Sequence, residues 1–279
     1  MGGRSPPPVR EYPYLLPSLR NLMTDLLSTV EARLGSHLLT SAVPSDVLSF
    51  QNPSGTSAGA IDIRSGSPDS PIYFILESWL HCELPTGALN IATLLATLNT
   101  STDAPHLICE LIQSSPTSLL LFLDLFPRRD LVLHPDYLDE FYHQTNLEKP
   151  RQELAKLPQV QPYFFSSLYL RCLVSPTVNL VLINVGGSEG DSAMEDIIRG
   201  PVRSTCKEIV EIWLDKCANS RKQLGDAERA DLITRDDMII SKSIEVDLVQ
   251  NLPRMFGPDV ADRVVREIQK AFRRQENNG

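Results

Sequence analysis

In the run His106-Leu-Ile-Cys-Glu-Leu-Ile112 one carboxylate sits among apolar residues. If the run is a strand, alternate residues share a face, so Glu110 points the same way as Ile108 and Ile112. Taking a carboxyl group out of water disfavours its charged form, raises its pKa and leaves it a proton to give near neutral pH. Asp247 raises the same question on a helix, three residues after Ile244 and seven after Ile240, within that helix's apolar stripe. Asp124 alternates with Leu120 and Phe122, and Glu77 lies between Ile75 and Trp79 in the same alternation. Each of these carboxylates also has a plainer reading: a buried cation as partner, a salt bridge at a helix edge, or an edge strand facing water. Periodicity does not rank them, because structural ion pairs perturb carboxylates too.

Other chemistries find little support. The five histidines (His37, His81, His106, His134 and His143) lack HExxH or comparable metal spacing; His81-Cys82 is a conceivable ligand pair, but a core histidine is the plainer reading. Five cysteines without a CxxC suggest free thiols rather than a zinc knuckle or a disulfide framework. The glycine-containing run at 185–191 lacks GxGxxG and the P-loop lysine, and Glu189 and Asp191 would repel phosphate, so it reads as a surface turn. No GxSxG elbow supports a serine hydrolase. A formal charge of −9 argues against nucleic acid as a partner, and no apolar run is long enough to span a bilayer. The last helix places Arg263, Arg266, Lys270 and Arg273 on one face, a candidate dock for an acidic partner. Asp259, Asp262 and Glu267 dilute that face, and an ordinary solvated surface is the plainer reading.

The elements that must position these groups follow from punctuation and period. Residues 1–13 read as a loose tail and 14–279 as one domain. Leu19, Leu22, Met23, Leu26, Leu27, Val30 and Leu34 predict a helix from Pro17 that stops at Gly35, and 41–57 reads as loop. Short runs at 60–64, 71–84, 90–98, 106–113 and 118–125 read as antiparallel strands, because no helix-length segment separates them. Helices are expected at 134–146 and 148–156, and two more strands at 167–174 and 178–185. Pro201 suits a first helical position, followed by a stripe from Val202 to Cys217. Residues 220–238 read as a mobile connection, then come a helix from Ile240 that Pro253 ends and a last one from Pro258. Strands flanked by helical blocks predict an α+β fold, an α/β/α sandwich with helices on both faces of one antiparallel sheet.

Several stretches together resemble the red chlorophyll catabolite reductase family of land plants: LLSTVEARL at 26–34, IDIRSG at 61–66, SWLHC at 78–82 with PTG at 85–87, and ELIQSS at 110–115. RDLVL at 129–133 with PDYL at 135–138, KSIE at 242–245 and PRMFG at 253–257 extend the likeness over about 11–272. The resemblance implies the sandwich of ferredoxin-dependent bilin reductases, a homodimer, and a chloroplast stromal enzyme whose transit peptide is absent from this chain. It implies reduction of the C20/C1 double bond of red chlorophyll catabolite, a linear tetrapyrrole, to the primary fluorescent catabolite, with possible association with other chlorophyll-breakdown enzymes. Reduced ferredoxin would be the external electron donor and no cofactor would be bound, the bilin itself taking electrons as a radical. Glu110 and Asp247 match the family's two acidic site residues, as proton donor and positioning group in either order. Val174, before Ser175-Pro176-Thr177, matches the position where the family carries Phe or Val and would select the C1 epimer. Residues 186–199 and 220–240 depart from the family and read as variable loops. The competing function is a non-catalytic tetrapyrrole carrier, which would keep an apolar pocket without needing Glu110 or Asp247.

Overall fold

The computed structural model describes residues 9–85, 87–186 and 190–273, apart from the side chains of Asp191 and Arg273. Its centre is one antiparallel eight-stranded sheet in the order β1-β2-β3-β4-β5-β6-β8-β7. The strands are β1 (Phe50–Gln51), β2 (Ser57–Ser65), β3 (Ile72–Leu84), β4 (Gly87–Leu98), β5 (His106–Ser115), β6 (Ser118–Phe126), β7 (Val160–Pro162) and β8 (Asn179–Asn184). From β1 to β6 each strand pairs with the next in the chain, because each connection is a short turn that can only reverse direction.

One face of this sheet is sealed. Ala92, Leu94, Cys109, Leu111, Leu119 and Leu121 are all at most 1% exposed and pack under helices α1 (Pro17–Leu34), α3 (Pro135–Leu138), α4 (Glu148–Ala155), α6 (Gly190–Ile197) and α7 (Arg203–Ile212). Pro at the start of α1 costs no hydrogen bond there, and its inward residues Leu19 to Leu34 fall on the expected stripe.

The other face is covered in two patches. Ile61, Ile63, Phe74 and Leu76 pack with α2 (Ser45–Leu48), α9 (Val249–Phe256), α10 (Pro258–Arg273) and the end of α8 (Asp226–Ser243). Phe122, Phe126 and Leu180 form a smaller cluster with Phe165, Val174 and Val178 beside α5 (Leu168–Leu173). Strand β5 runs between the two.

Several expectations are corrected. Residues 9–13 are not loose: Val9–Glu11 make a 3-10 turn, Arg10 reaches Glu31 at 2.6 Å and Glu77 at 3.1 Å, and Tyr12 is fully buried. Residues 1–8 lie outside the described residues. The stretch 167–174 is the helix α5, because the Ser167 hydroxyl accepts the Leu170 N–H as an N-cap; a short apolar run does not by itself separate helix from strand. Pro201 stands inside a helical path that begins at Gly190 and passes through a wide π turn at Ile198–Val202. Most of 220–238 is α8, whose start is fixed by the Glu228 carboxylate accepting the Gly225 N–H at 3.0 Å. The supposed variable loops are thus largely helical, apart from residues 187–189, which lie outside the described residues. The next helix runs past Pro253 to Phe256, where Gly257 at φ 81° terminates it. The segment 41–57 contains α2 and β1, and β7 was not foreseen.

The sealed face sets most of the stability, so Leu121→Ala should cost about 2–5 kcal/mol through the cavity it leaves. Urea unfolding at neutral pH measures this, and a loss below about 1 kcal/mol would show that the layer closes around the gap.

Candidate active site

The half-covered strip follows from strand alternation. Residues that alternate with the sealed set, Ile91, Thr93, Ile108, Glu110, Ile112 and Leu120, all keep partial exposure. They lie side by side across β4, β5 and β6: Glu110 pairs with Thr93 on one side and Phe122 on the other, and Ile112 with Ile91 and Leu120. The result is an apolar floor with one carboxylate at its centre.

Glu110 has a single polar partner in its strand neighbourhood, the Thr93 hydroxyl, which donates to Oε1 at 3.0 Å. Burial pushes its pKa up, the negative charge of Asp247 pushes it further, and the Thr93 bond only partly opposes them, leaving it at about 7. Asp247 arrives from above, on a π turn (Ile244–Leu248) between α8 and α9. By surface area it is exposed, yet enough protein surrounds its carboxylate that burial raises its pKa, while the Asn251 amide donating to Oδ1 at 2.7 Å opposes the shift. Its neighbours Ile244 and Leu248 dip into the first apolar patch. Of the acids singled out by sequence, Glu110 and Asp247 are thus near enough for the charge of Asp247 to bear on Glu110.

Val174 belongs to the same wall. It packs on the cluster of Phe122, Phe126 and Leu180, and Phe122 is the direct strand partner of Glu110. Asp124 holds that wall: its two carboxylate oxygens accept the Ser175 N–H at 2.7 Å and the Ser175 hydroxyl at 2.5 Å. Burial raises Asp124 to about 7 against those bonds. Asp124 thus anchors this wall through Ser175, a partner that none of the plainer readings offered. Glu77 lies on the sealed face and pairs with Arg10 and Arg64; burial raises its pKa and the arginines resist.

Three of the four cations do not converge on the strip. Arg263, Arg266 and Lys270 stand on the outer side of α10, where Arg263 lies 3.5 Å from Asp46, Lys270 3.4 Å from Glu267, and Arg266 donates to the Asp262 carbonyl. The Arg273 side chain lies outside the described residues. His81 stacks on Tyr14 at 3.8 Å and shares a 2.7 Å hydrogen bond with Asn90, the core histidine of the plainer reading. Among the described residues no group of three or more His, Cys, Asp or Glu side chains is gathered to hold a metal, and no helix is long and apolar enough to cross a membrane.

A separate depression of about 370 Å³ lies between α5 and α8, lined by Tyr169, Cys172, Leu173, Asp231, Thr234, Arg235, Met238 and Ile239. It does not include the strip. Sequence reasoning missed Thr93, an unremarkable hydroxyl in an apolar strand. It also missed a buried cluster of Arg128, Asp236 and His106 at the far end of β5.

Three comparisons bear on this arrangement. A family model described as red chlorophyll catabolite reductase (RCC reductase) matches residues 18–270. The chain is 49% identical over 259 residues to red chlorophyll catabolite reductase 1, chloroplastic, of Oryza sativa subsp. japonica, covering 92% of this chain and 78% of that protein. It is 47% identical over 266 residues to red chlorophyll catabolite reductase, chloroplastic, of Arabidopsis thaliana, covering 94% and 82%. In fold it matches the crystal structure of selenomethionine phytochromobilin synthase from tomato in complex with biliverdin, with TM-score 0.69 and 16% identity, over 93% of this chain and 85% of that one.

Glu110 binds its proton more tightly folded than unfolded, so its contribution to stability is present below the ordinary glutamate pKa and is lost as pH rises through about 7. Glu110→Gln should therefore gain on the order of 1–3 kcal/mol over the parent at pH 8 and nothing near pH 4.5. Chemical unfolding at the two pH values checks this; an equal difference at both would leave Glu110 with an ordinary pKa.

Proposed function

This chain belongs to the red chlorophyll catabolite reductase family, and from that premise we propose that Glu110 and Asp247 form the acid pair that delivers protons to the pigment. The chain is an oxidoreductase of chlorophyll catabolism, acting in the chloroplast on a linear tetrapyrrole. In the proposed reaction the C20/C1 double bond of red chlorophyll catabolite takes up two electrons and two protons, giving the primary fluorescent catabolite. Ferredoxin supplies the electrons one at a time, and no protein-bound cofactor intervenes.

The single observation that carries this reading is a carboxyl group held at about 7 on an apolar, half-open floor. Adding an electron to the pigment makes it basic, and a neutral carboxyl within hydrogen-bond reach can quench that charge by proton transfer. The apolar floor suits flat pyrrole rings and keeps bulk water from competing as donor. Asp247 acts through its charge, which keeps the proton on Glu110. Val174 is proposed to set which face of the ring meets the acid; its packing on the wall of Phe122, Phe126 and Leu180 supports this reading. The chain is further proposed to act as a homodimer, in association with other chlorophyll-breakdown enzymes.

The test is an anaerobic assay with reduced ferredoxin and red chlorophyll catabolite, read by the blue fluorescence of the product. Glu110→Gln keeps size and hydrogen bonding but carries no transferable proton. It should bind the pigment and lose turnover by at least about 10²-fold. Full turnover would remove Glu110 from the mechanism, and loss of pigment binding would point to a binding role instead.

Ferredoxin docking is assigned to the exposed cations of α10. Reversing Arg266 and Lys270 to Glu should raise the KM for ferredoxin at low ionic strength, with a smaller effect at high salt because exposed charges are screened. An unaltered KM at low salt would place the dock elsewhere.

A further inference from the structure

The end of β5 away from Ile112 carries a buried charged cluster. Arg128, Asp236 and His106 are 1%, 4% and 2% exposed. Both oxygens of Asp236 are engaged: Arg128 Nε lies 3.1 and 3.2 Å from them, Arg128 Nη2 lies 2.5 Å from Oδ2, and His106 Nε2 lies 3.3 Å from Oδ1. Arg128 Nη1 donates to the Thr102 and Asn99 carbonyls at 2.7 and 3.2 Å, so the guanidinium is fastened to the loop after β4 as well. His106 Nδ1 accepts the Leu98 N–H at 3.1 Å, which leaves the proton of a neutral ring on Nε2, facing Asp236. Burial works against the charge of Asp236, and Arg128 with His106 overcomes it, leaving the group at about 2.

Such a cluster is a costly way to join a helix to a sheet, since buried ion pairs at best offset their own desolvation. What it supplies is a fixed register. His106 begins β5, and Glu110 lies four residues along it, roughly 14 Å at the rise of a strand. Asp236 lies on α8, and Asp247 comes eleven residues later along an unbroken helical path, roughly 16 Å at the rise of a helix. Eleven residues are about three helical turns, so the two aspartates leave the helix on nearly the same side. The strand segment and the helix segment are thus of similar length. They are tied at one end by His106 and Asp236, and toward the other end the charge of Asp247 bears on Glu110.

We propose that the Arg128–Asp236–His106 cluster is a positioning device for catalysis, setting how closely Asp247 stands over Glu110. It rests on the reading of Glu110 and Asp247 as the acid pair. The residues of the cluster touch neither pigment nor reacting atoms; they act through the helix. The charged groups facing Asp236 are Arg128 after β6 and His106 from β5, and Asp247 is the charged group that faces Glu110.

The experiment follows kcat and KM for red chlorophyll catabolite across pH 5–9, with reduced ferredoxin, in Asp236→Asn, His106→Gln, Asp247→Asn and the Asp236→Asn/Asp247→Asn double variant, with Glu110→Gln as control. Asp236→Asn is expected to lower kcat at least tenfold while KM moves less than threefold. Its alkaline limb should shift to lower pH, toward that of Asp247→Asn, because Glu110 then loses the same neighbouring charge. The double variant should be no slower than Asp247→Asn alone, since both changes remove one interaction. His106→Gln can still accept from Leu98 and donate to Asp236, so it should fold and show a smaller shift in the same sense. If Asp236→Asn does not fold, His106→Gln decides alone. Wild-type kcat and pH profile in a folded variant, a change confined to KM, or fully additive losses would overturn the proposal while Glu110→Gln stays inactive. Turnover in Glu110→Gln would instead overturn the acid-pair reading on which it depends.

Discussion

The structure turns on one unfavourable proximity: Glu110, buried on an apolar floor, lies within reach of the charge of Asp247, so that both cannot readily be charged. Burial alone raises Glu110, and the charge of Asp247 raises it further. The outcome is a group that still holds its proton near neutral pH, with the Thr93 hydroxyl as its hydrogen-bond donor. A pigment that becomes basic on reduction needs a proton at that moment, and an acid near 7 can supply it without the cost of ionising a much weaker one.

The rest of the fold makes that proximity tolerable. Every strand that contributes to the floor has its other side in the sealed layer, where Ala92, Leu94, Cys109, Leu111, Leu119 and Leu121 are at most 1% exposed, so the sheet is backed by close packing although part of one face is open. The open strip is bounded by two apolar clusters that do not merge, one under α9 and α10 and one beside α5. Each boundary carries a polar fastening: Asp124 holds Ser175 and so the wall bearing Val174, and Asp236 holds α8 to β5. The acids that fasten the walls are bonded on both oxygens, whereas Glu110 has one oxygen bonded to a hydroxyl and its face toward the cleft.

Much of this was legible in the sequence where local chemistry and tertiary context agree. The five long strands stand out because Gly, Pro, Ser and Asp break the chain between them, and Glu110 is visible because alternation alone assigns its face. Segment 167–174 was misread because its apolar run is too short to show a period, and the decisive signal was one serine at the N-cap. Helix α8 was hidden for a different reason. Its inward positions are Leu232, Asp236 and Ile239, so a buried aspartate stands where an apolar residue would complete the stripe. A charge whose partner is an arginine 108 residues away cannot be paired by spacing. For Asp247 the stripe pointed the right way, but the structure leaves its surface exposed over the strip rather than inside the core.

The central claim is that Glu110 keeps its proton to neutral pH because of where it sits and what faces it. The most direct measurement is an infrared pH titration of the protonated carboxyl stretch, assigned to Glu110 by its disappearance in Glu110→Gln. The account predicts a midpoint at about 7 that falls in Asp247→Asn. A midpoint at about 4.5, the ordinary glutamate range, unmoved by Asp247→Asn, would contradict it.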